Sequence, residues 1–273
     1  LLARLAGRVG FFSPTFEEYP NRYSREKAVS FVPDNKNYGY TAEDLIRFFE
    51  DKEIQNLIVV NPDNPSGNYI PKTELLNLIE WAKKKEIRLI LDESFVDFAD
   101  DAEPSFIQQE ILSANEHLYV MKSISQSFGV PGLRLGILAS GDTAMIEKLK
   151  KDVAIWNINS FAEFYMQIEE KYQKDYAEAL KLLRVERARF QEELNSLSGL
   201  RVIPSQANYI MVELTRDITA KCLTKNLLVK HNMLVKDLTG KIPNGQYLRL
   251  TVRNKEDNDK LIAAFKKELL ERN

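Results

Sequence analysis

A carboxylate that closes an apolar run is the first feature here able to do chemistry: Leu89-Ile90-Leu91-Asp92-Glu93. An aspartate buried at a strand end is costly to leave unpaired, so Asp92 is expected to face a cationic partner. Upstream, Asn61-Pro62-Asp63-Asn64-Pro65-Ser66-Gly67 reads as a rigid loop, because two prolines fix backbone angles and the glycine permits a left-handed turn. Such a loop also suits an ordinary strand-to-helix connection; the carboxylate ending the next strand is what makes it a site candidate. Downstream, residues 123–136 gather Ser123, Ser125, Gln126 and Arg134 within one short stretch. Its glycines, Gly129, Gly132 and Gly136, do not make a dinucleotide-binding loop, since no helix start follows and no acidic residue ends a following strand. His117, His231 and the single Cys222 have no metal-ligand spacing, so no metal is expected.

These residues need elements to hold them. Short apolar runs at 9–12, 28–32, 57–60, 87–91, 118–121 and 135–139 alternate with amphipathic stretches at 42–50, 72–85 and 143–151. Non-alternating apolar strands between helices predict an α/β fold, a mostly parallel sheet sandwiched by helices. Ligands bind such sheets beyond the carboxyl ends of the strands, which is where the 61–67 loop and Asp92 fall. Beyond Trp156 the pattern becomes almost continuously helical from 160 to 196, without glycine or proline. The remainder reads as a strand at 208–213, a helix at 218–231, short strands at 234–236 and 247–252, and a closing helix from Lys255, a smaller C-terminal α+β domain. The division is therefore a large domain over 1–158, linking helices over 159–196 and a small domain over 197–273. Residues 1–6 read as the tail of a helix, so the chain is expected to be N-terminally incomplete, with a fused preceding domain a possibility.

At 273 residues and 44% hydrophobic, the chain can bury a sizeable core. A net charge of −2 gives no reason to expect nucleic acid or an acidic membrane as partner, and Lys83-Lys84-Lys85 reads as a solvated helix face. No apolar run approaches the roughly 20 residues that span a bilayer, and no secretory signal is visible. One cysteine cannot form an internal disulfide, which suits a reducing cytoplasm.

Taken together, the motifs resemble the fold-type-I pyridoxal-phosphate enzymes, in the branch of histidinol-phosphate aminotransferase and threonine-phosphate decarboxylase. That branch carries Asn-Pro-x-Asn-Pro-[Thr/Ser]-Gly, then Asp-Glu-x-[Tyr/Phe], then Ser-x-Ser-Lys-x-[Phe/Tyr]-Gly-[Leu/Val]-x-Gly-Leu-Arg-x-Gly. The likeness runs from Ser13-Pro14-Thr15-Phe16-Glu17-Glu18-Tyr19 to the closing helix. It implies pyridoxal 5'-phosphate as cofactor, with Asp92 beside the ring nitrogen, keeping it protonated. Asn64 matches the amide that hydrogen-bonds the ring's phenolic oxygen, and Phe95 stands where many relatives have a second donor, tyrosine. Phe16 matches the aromatic stacked on the ring. Ser123, Ser125 and Arg134 match the phosphate anchor, where hydroxyls and a guanidinium make charge-assisted bonds to a dianion.

The departure is Gln126. The motif has a lysine there, which holds the cofactor covalently and moves the substrate α-proton; glutamine has neither a nucleophilic amine nor useful basicity. Lys122 is too far along the strand to replace it. Intact remaining contacts favour a substitution made to trap bound substrate over a natural change marking a non-catalytic relative. On the substrate side, Arg249 in Tyr247-Leu248-Arg249-Leu250-Thr251-Val252-Arg253 matches the clamp for the α-carboxylate. Arg253 would supply a second cation for an anionic side chain, or else pair with Glu256 or Asp257, and Asn157 would line the pocket. The resemblance thus implies an aminotransferase or decarboxylase of amino-acid metabolism, acting on a small, phosphorylated amino acid as a homodimer, severely impaired by Gln126. The rival readings are a catalytically dead homologue acting as a binding or scaffold module, and a nucleotide-binding α/β domain.

Overall fold

The computed structural model describes residues 1–24 and 26–270. The large domain runs β1 (Val9–Phe12), α1 (Glu18–Asn21), β2 (Ala28–Phe31), α2 (Ala42–Phe49), β3 (Asn56–Val60), α3 (Lys72–Lys84), β4 (Arg88–Asp92), α4 (Gln109–Ala114), β5 (Leu118–Ser123), β6 (Gly136–Ser140) and α5 (Thr143–Lys150). Its six strands are ordered β2-β1-β3-β4-β5-β6. Each neighbouring pair from β2 to β5 is parallel, and β6 joins antiparallel to β5.

Period-two alternation divides the apolar residues between two faces. Leu57, Val59, Leu89 and Leu91 pack under α2 and α3 with Leu45, Phe49, Leu75 and Leu78. Ile58, Val60 and Ile90 pack on the other face with Tyr19 of α1, alongside Met145 of α5. Because both faces are covered, β3 is buried along its whole length and reads as a continuous apolar run. Helix α2 is fixed at its start by a capping box in which Thr41 and Asp44 satisfy each other's backbone N–H groups.

The chain then passes through α6 (Ser160–Ile168), a short 3-10 turn and α7 (Gln173–Asn195). The small domain is β7 (Leu200–Ile203), β8 (Tyr209–Leu214), α8 (Ala220–His231), β9 (Lys236–Asp237), β10 (Tyr247–Thr251) and α9 (Lys255–Leu270). Its antiparallel sheet is ordered β7-β8-β10-β9 and packs against Phe190 and Leu194 of α7 and Phe265 of α9.

The two halves are pinned by Arg187 of α7, whose side chain is 2% exposed. Its guanidinium donates to the carbonyls of Phe98 (2.6 Å), Gln206 (2.8 Å) and Ala207 (3.3 Å) and to Asp100 Oδ1 (2.7 Å). Burial lowers its pKa, and the Asp100 carboxylate opposes that effect.

Candidate functional site

Four consecutive positions in the sheet deliver the site. The segment after β1 carries Phe16, the loop after β3 carries Asn64, β4 ends on Asp92, and β5 ends on Ser123. All lie at the carboxyl edge, as a parallel sheet requires.

Asp92 is 6% exposed. Tyr19 donates its hydroxyl to Asp92 Oδ2 at 2.5 Å, and Ser94 donates both its backbone N–H (2.9 Å) and its hydroxyl (2.5 Å) to Oδ1. Among the described residues its protein partners are thus two hydroxyls and an amide, and the expected cationic partner would be the cofactor's ring nitrogen. Hydrogen bonds alone make that burial tolerable, and Oδ2 keeps a lone pair for a cationic ring nitrogen. Burial and the adjacent Asp92 raise the Tyr19 pKa well above its ordinary value, so Tyr19 stays a phenol and a donor. Neither Tyr19 nor Ser94 stood out by spacing, although Tyr19 lies in the 13–19 motif.

Ser94 Oγ also accepts from the Ser123 backbone N–H at 3.0 Å, which joins the Asp92 group to the serine loop. A cavity of about 630 Å3 is lined by Phe16, Asp92, Ser94, Ser123, Ser125 and Arg134 among others. Arg134 adopts a left-handed backbone conformation (φ 58°) and makes one long contact to the Pro131 carbonyl, 3.2 Å, which leaves donors for an anion. Carboxylate, hydroxyls and guanidinium on one cavity are the donor set that a protonated heterocycle with a phosphate ester needs, so these residues fit pyridoxal phosphate.

Beside it lies a crevice of about 440 Å3 lined by Phe16, Glu17, Asn64, Phe95, Gln126, Asn208, Tyr209, Lys236, Lys241, Arg249 and Thr251. Arg249 donates to Asn64 Oδ1 at 2.6 Å and lies over the Tyr209 ring, 5.0 Å from its centre. Arginine can only donate, so this contact fixes the Asn64 amide with Oδ1 toward Arg249 and leaves Nδ2 as the free donor. Gln126 is held loosely, its Oε1 accepting from Ser123 Oγ at 3.3 Å. Lys122 is committed elsewhere: its ammonium pairs with Asp97 at 2.6 Å, both side chains nearly buried.

Two proposed substrate contacts are not brought into this crevice. Asn157 belongs to the exposed stretch 151–160, between α5 and α6. Arg253 is claimed by Asp257 one helical turn on (2.7 Å) and lines the adjoining cavity, which shares Arg249, Lys236 and Thr251 with the crevice. The crevice is lined instead by Lys236 of β9 and Lys241 of the loop after it. A lysine on a two-residue strand or in a loop has no periodic signature, so the sequence held no cue to either.

Two buried carboxyls support the scaffold. Burial pushes Asp63 up to about 7 against the opposing hydroxyls of Ser66 and Thr15. Glu93 is likewise pushed up by burial to about 7, opposed by the Ser105 hydroxyl and the Phe106 N–H, and it staples the 99–108 segment to β4. With a folded pKa above its unfolded value of 4.5, Glu93 keeps a proton that the unfolded chain has released. Its contribution to stability is therefore greatest below pH 4.5 and declines as pH rises toward 7. Glu93→Gln keeps the bond from the Phe106 N–H and reverses the one to Ser105, its amide N–H donating to the hydroxyl oxygen, without that penalty. The variant's stability relative to the parent is expected to grow between pH 5 and 7, by about 3 kcal/mol at most. Urea melts across that range check it; a pH-independent difference sinks the assignment.

The sequence profile of Aminotransferase class I and II matches residues 4–265. The chain belongs to that family. As a class I and II aminotransferase-family protein it takes pyridoxal phosphate as cofactor, in agreement with the donor set above. It is 33% identical over 266 residues to the CMP-5'-(3-aminopropyl)phosphonate synthase of Streptomyces rubellomurinus, covering 97% of this chain and 42% of that protein. To the L-serine phosphate decarboxylase of Sulfurospirillum multivorans it is 30% identical over 266 residues, covering 95% of this chain and 67% of that enzyme. The chain thus spans less than half of the first relative. A solved decarboxylase from Sulfurospirillum multivorans superposes with a TM-score of 0.86 at 29% identity, covering 96% of this chain and 75% of that one. The histidinol-phosphate aminotransferase of Sinorhizobium meliloti, solved with pyridoxal-5'-phosphate, shares the fold with a TM-score of 0.80 at 18% identity, over 99% of this chain and 73% of that one. Among the described residues, no helix is long and apolar enough to cross a membrane.

Proposed function

We propose that this chain forms the cofactor and substrate site of a decarboxylase or aminotransferase for a small amino acid bearing a phosphate or phosphonate, and that Gln126 leaves it severely impaired. The observation that carries the reading is the crevice in which Arg249, Asn64 and Gln126 meet beside the Asp92 cavity. When bound, pyridoxal phosphate supplies an electron sink for cleavage at the substrate α-carbon. Asp92 keeps its ring nitrogen charged, Ser123, Ser125 and Arg134 hold its ester, Phe16 covers a ring face, and Asn64 donates to the ring oxygen. Arg249 binds and orients the α-carboxylate, and its stacking on Tyr209 limits how that carboxylate can tilt. The relatives named for serine phosphate and for a phosphonate support an anionic side chain. The deciding experiment is Gln126→Lys, with cofactor capture and turnover of O-phospho-L-serine as readouts; loss of both expected outcomes leaves the scaffold reading.

A homodimer is part of the proposal. Ile155 and Trp156 are each 92% exposed and Phe161 is 80% exposed, an apolar stretch that water would otherwise hydrate at considerable cost. Trp156→Asp is expected to weaken self-association roughly thirtyfold or more, as loss of a buried aromatic anchor does. Light scattering over a dilution series checks it, and a chain already monomeric at micromolar concentration refutes it.

A further inference from the structure

We propose that Lys241 selects substrates by their distal anion, a phosphate or phosphonate oxygen taking the place that the Glu17 carboxylate holds against it; this rests on reading the crevice as an amino-acid site. Lys241 lies on the loop between β9 and β10, on the same crevice as Arg249 and Gln126. Its side chain is only 13% exposed, yet it is half-satisfied. One proton goes to the Thr15 carbonyl at 3.0 Å, and the Glu17 carboxylate stands at 3.6 Å, too far for a strong hydrogen bond. An ammonium has three donors, so at least one remains for an incoming acceptor.

The Glu17 side chain is 58% exposed and its carboxylate is held by the long contact to Lys241, so it can swing into solvent while the Glu17 carbonyl keeps its bond from the Asn21 N–H. A tethered carboxylate of this kind neutralises a cation until a better anion arrives. Burial lowers the Lys241 pKa, Glu17 raises it and nearby Arg249 lowers it, so the ammonium gains from a dianionic partner more than an exposed lysine would. Lys236, exposed on the same crevice, adds to the positive field. The arrangement places an α-carboxylate clamp and a separate ammonium on one small cavity, which suits a substrate anionic at both ends.

Calorimetric titration of the cofactor-loaded protein, with Gln126 in place, tests this with O-phospho-L-serine, its phosphonate isostere and L-serine. Lys241→Met is expected to weaken both phosphorus-bearing ligands roughly ten- to a hundredfold, the range for losing a charge-assisted hydrogen bond, and to leave L-serine unchanged. Lys241→Arg should recover most of the affinity, and Glu17→Gln should tighten phosphoserine by removing its competitor. Equal weakening of all three ligands, or none, overturns the role of Lys241. A parent protein that binds none of them overturns the amino-acid site as well.

Discussion

Gln126→Lys is expected to produce a visible absorbance band that stays with the protein through gel filtration after loading with pyridoxal phosphate. Turnover of O-phospho-L-serine should rise by at least about 10²–10⁴-fold over the parent, the range a positioned general base contributes. The physical basis is local. Gln126 lines the crevice with Asn64 and Arg249, and its side chain's hydrogen bond from Ser123 Oγ, 3.3 Å long, resists little. A lysine of similar reach places an amine where the amide now is, with no repacking of buried groups. Lys122 cannot have filled that role, because its ammonium is held by Asp97 in a nearly buried pair. The cofactor should also raise the melting temperature of the unaltered chain, since Asp92, Ser123, Ser125 and Arg134 do not depend on residue 126. A lysine variant with neither band nor turnover would leave the chain as a binding module.

Arg187→Met should be the most damaging single change outside the site. It strands the carbonyls of Phe98, Gln206 and Ala207, which the guanidinium now serves together, and leaves Asp100 without its cation. Removing one partner from such a buried network costs about 3–5 kcal/mol, which for a chain of this size lowers Tm by roughly 10 °C or more. Arg187→Lys keeps the charge but not the fork, so an intermediate loss is expected. Differential scanning calorimetry decides, and a shift of only a degree or two would show that the carbonyls find other donors.

The large sheet was legible because its strands are buried on both faces and therefore read as unbroken apolar runs, β3 and β4 above all. Less visible were α4, six residues long, and β7, a four-residue strand bounded by Gly199 and Pro204. Neither is long enough to show a period. The antiparallel addition of β6 was hidden too, since strand direction depends on the connection rather than on composition. Within the site, Asp92 stood out as a carboxylate closing an apolar strand, whereas Asn64, in the loop after β3, and Arg249, in β10, were singled out by the motifs that carry the resemblance. Asn157 lies on an exposed connection, and of the two alternatives for Arg253 the fold shows the pairing with Asp257, four residues away at the spacing that pairs side chains on a helix. Lys236 lies on the short strand β9, and Lys241 comes from the loop after it, whose path only the folded chain reveals.

Gly67 meets Ser205 so closely that an added Cβ would lie 2.0 Å from the serine oxygen, and Gln206 donates its N–H to the Gly67 carbonyl at 2.9 Å. The loop bearing Asn64 is thereby keyed to the half of the molecule that bears Arg249. In the proposed roles of Arg249 and Asn64, gripping a substrate carboxylate and tuning the chromophore's oxygen would be one mechanical event, so ligands that pull on Arg249 should register as a change of colour before any bond is broken.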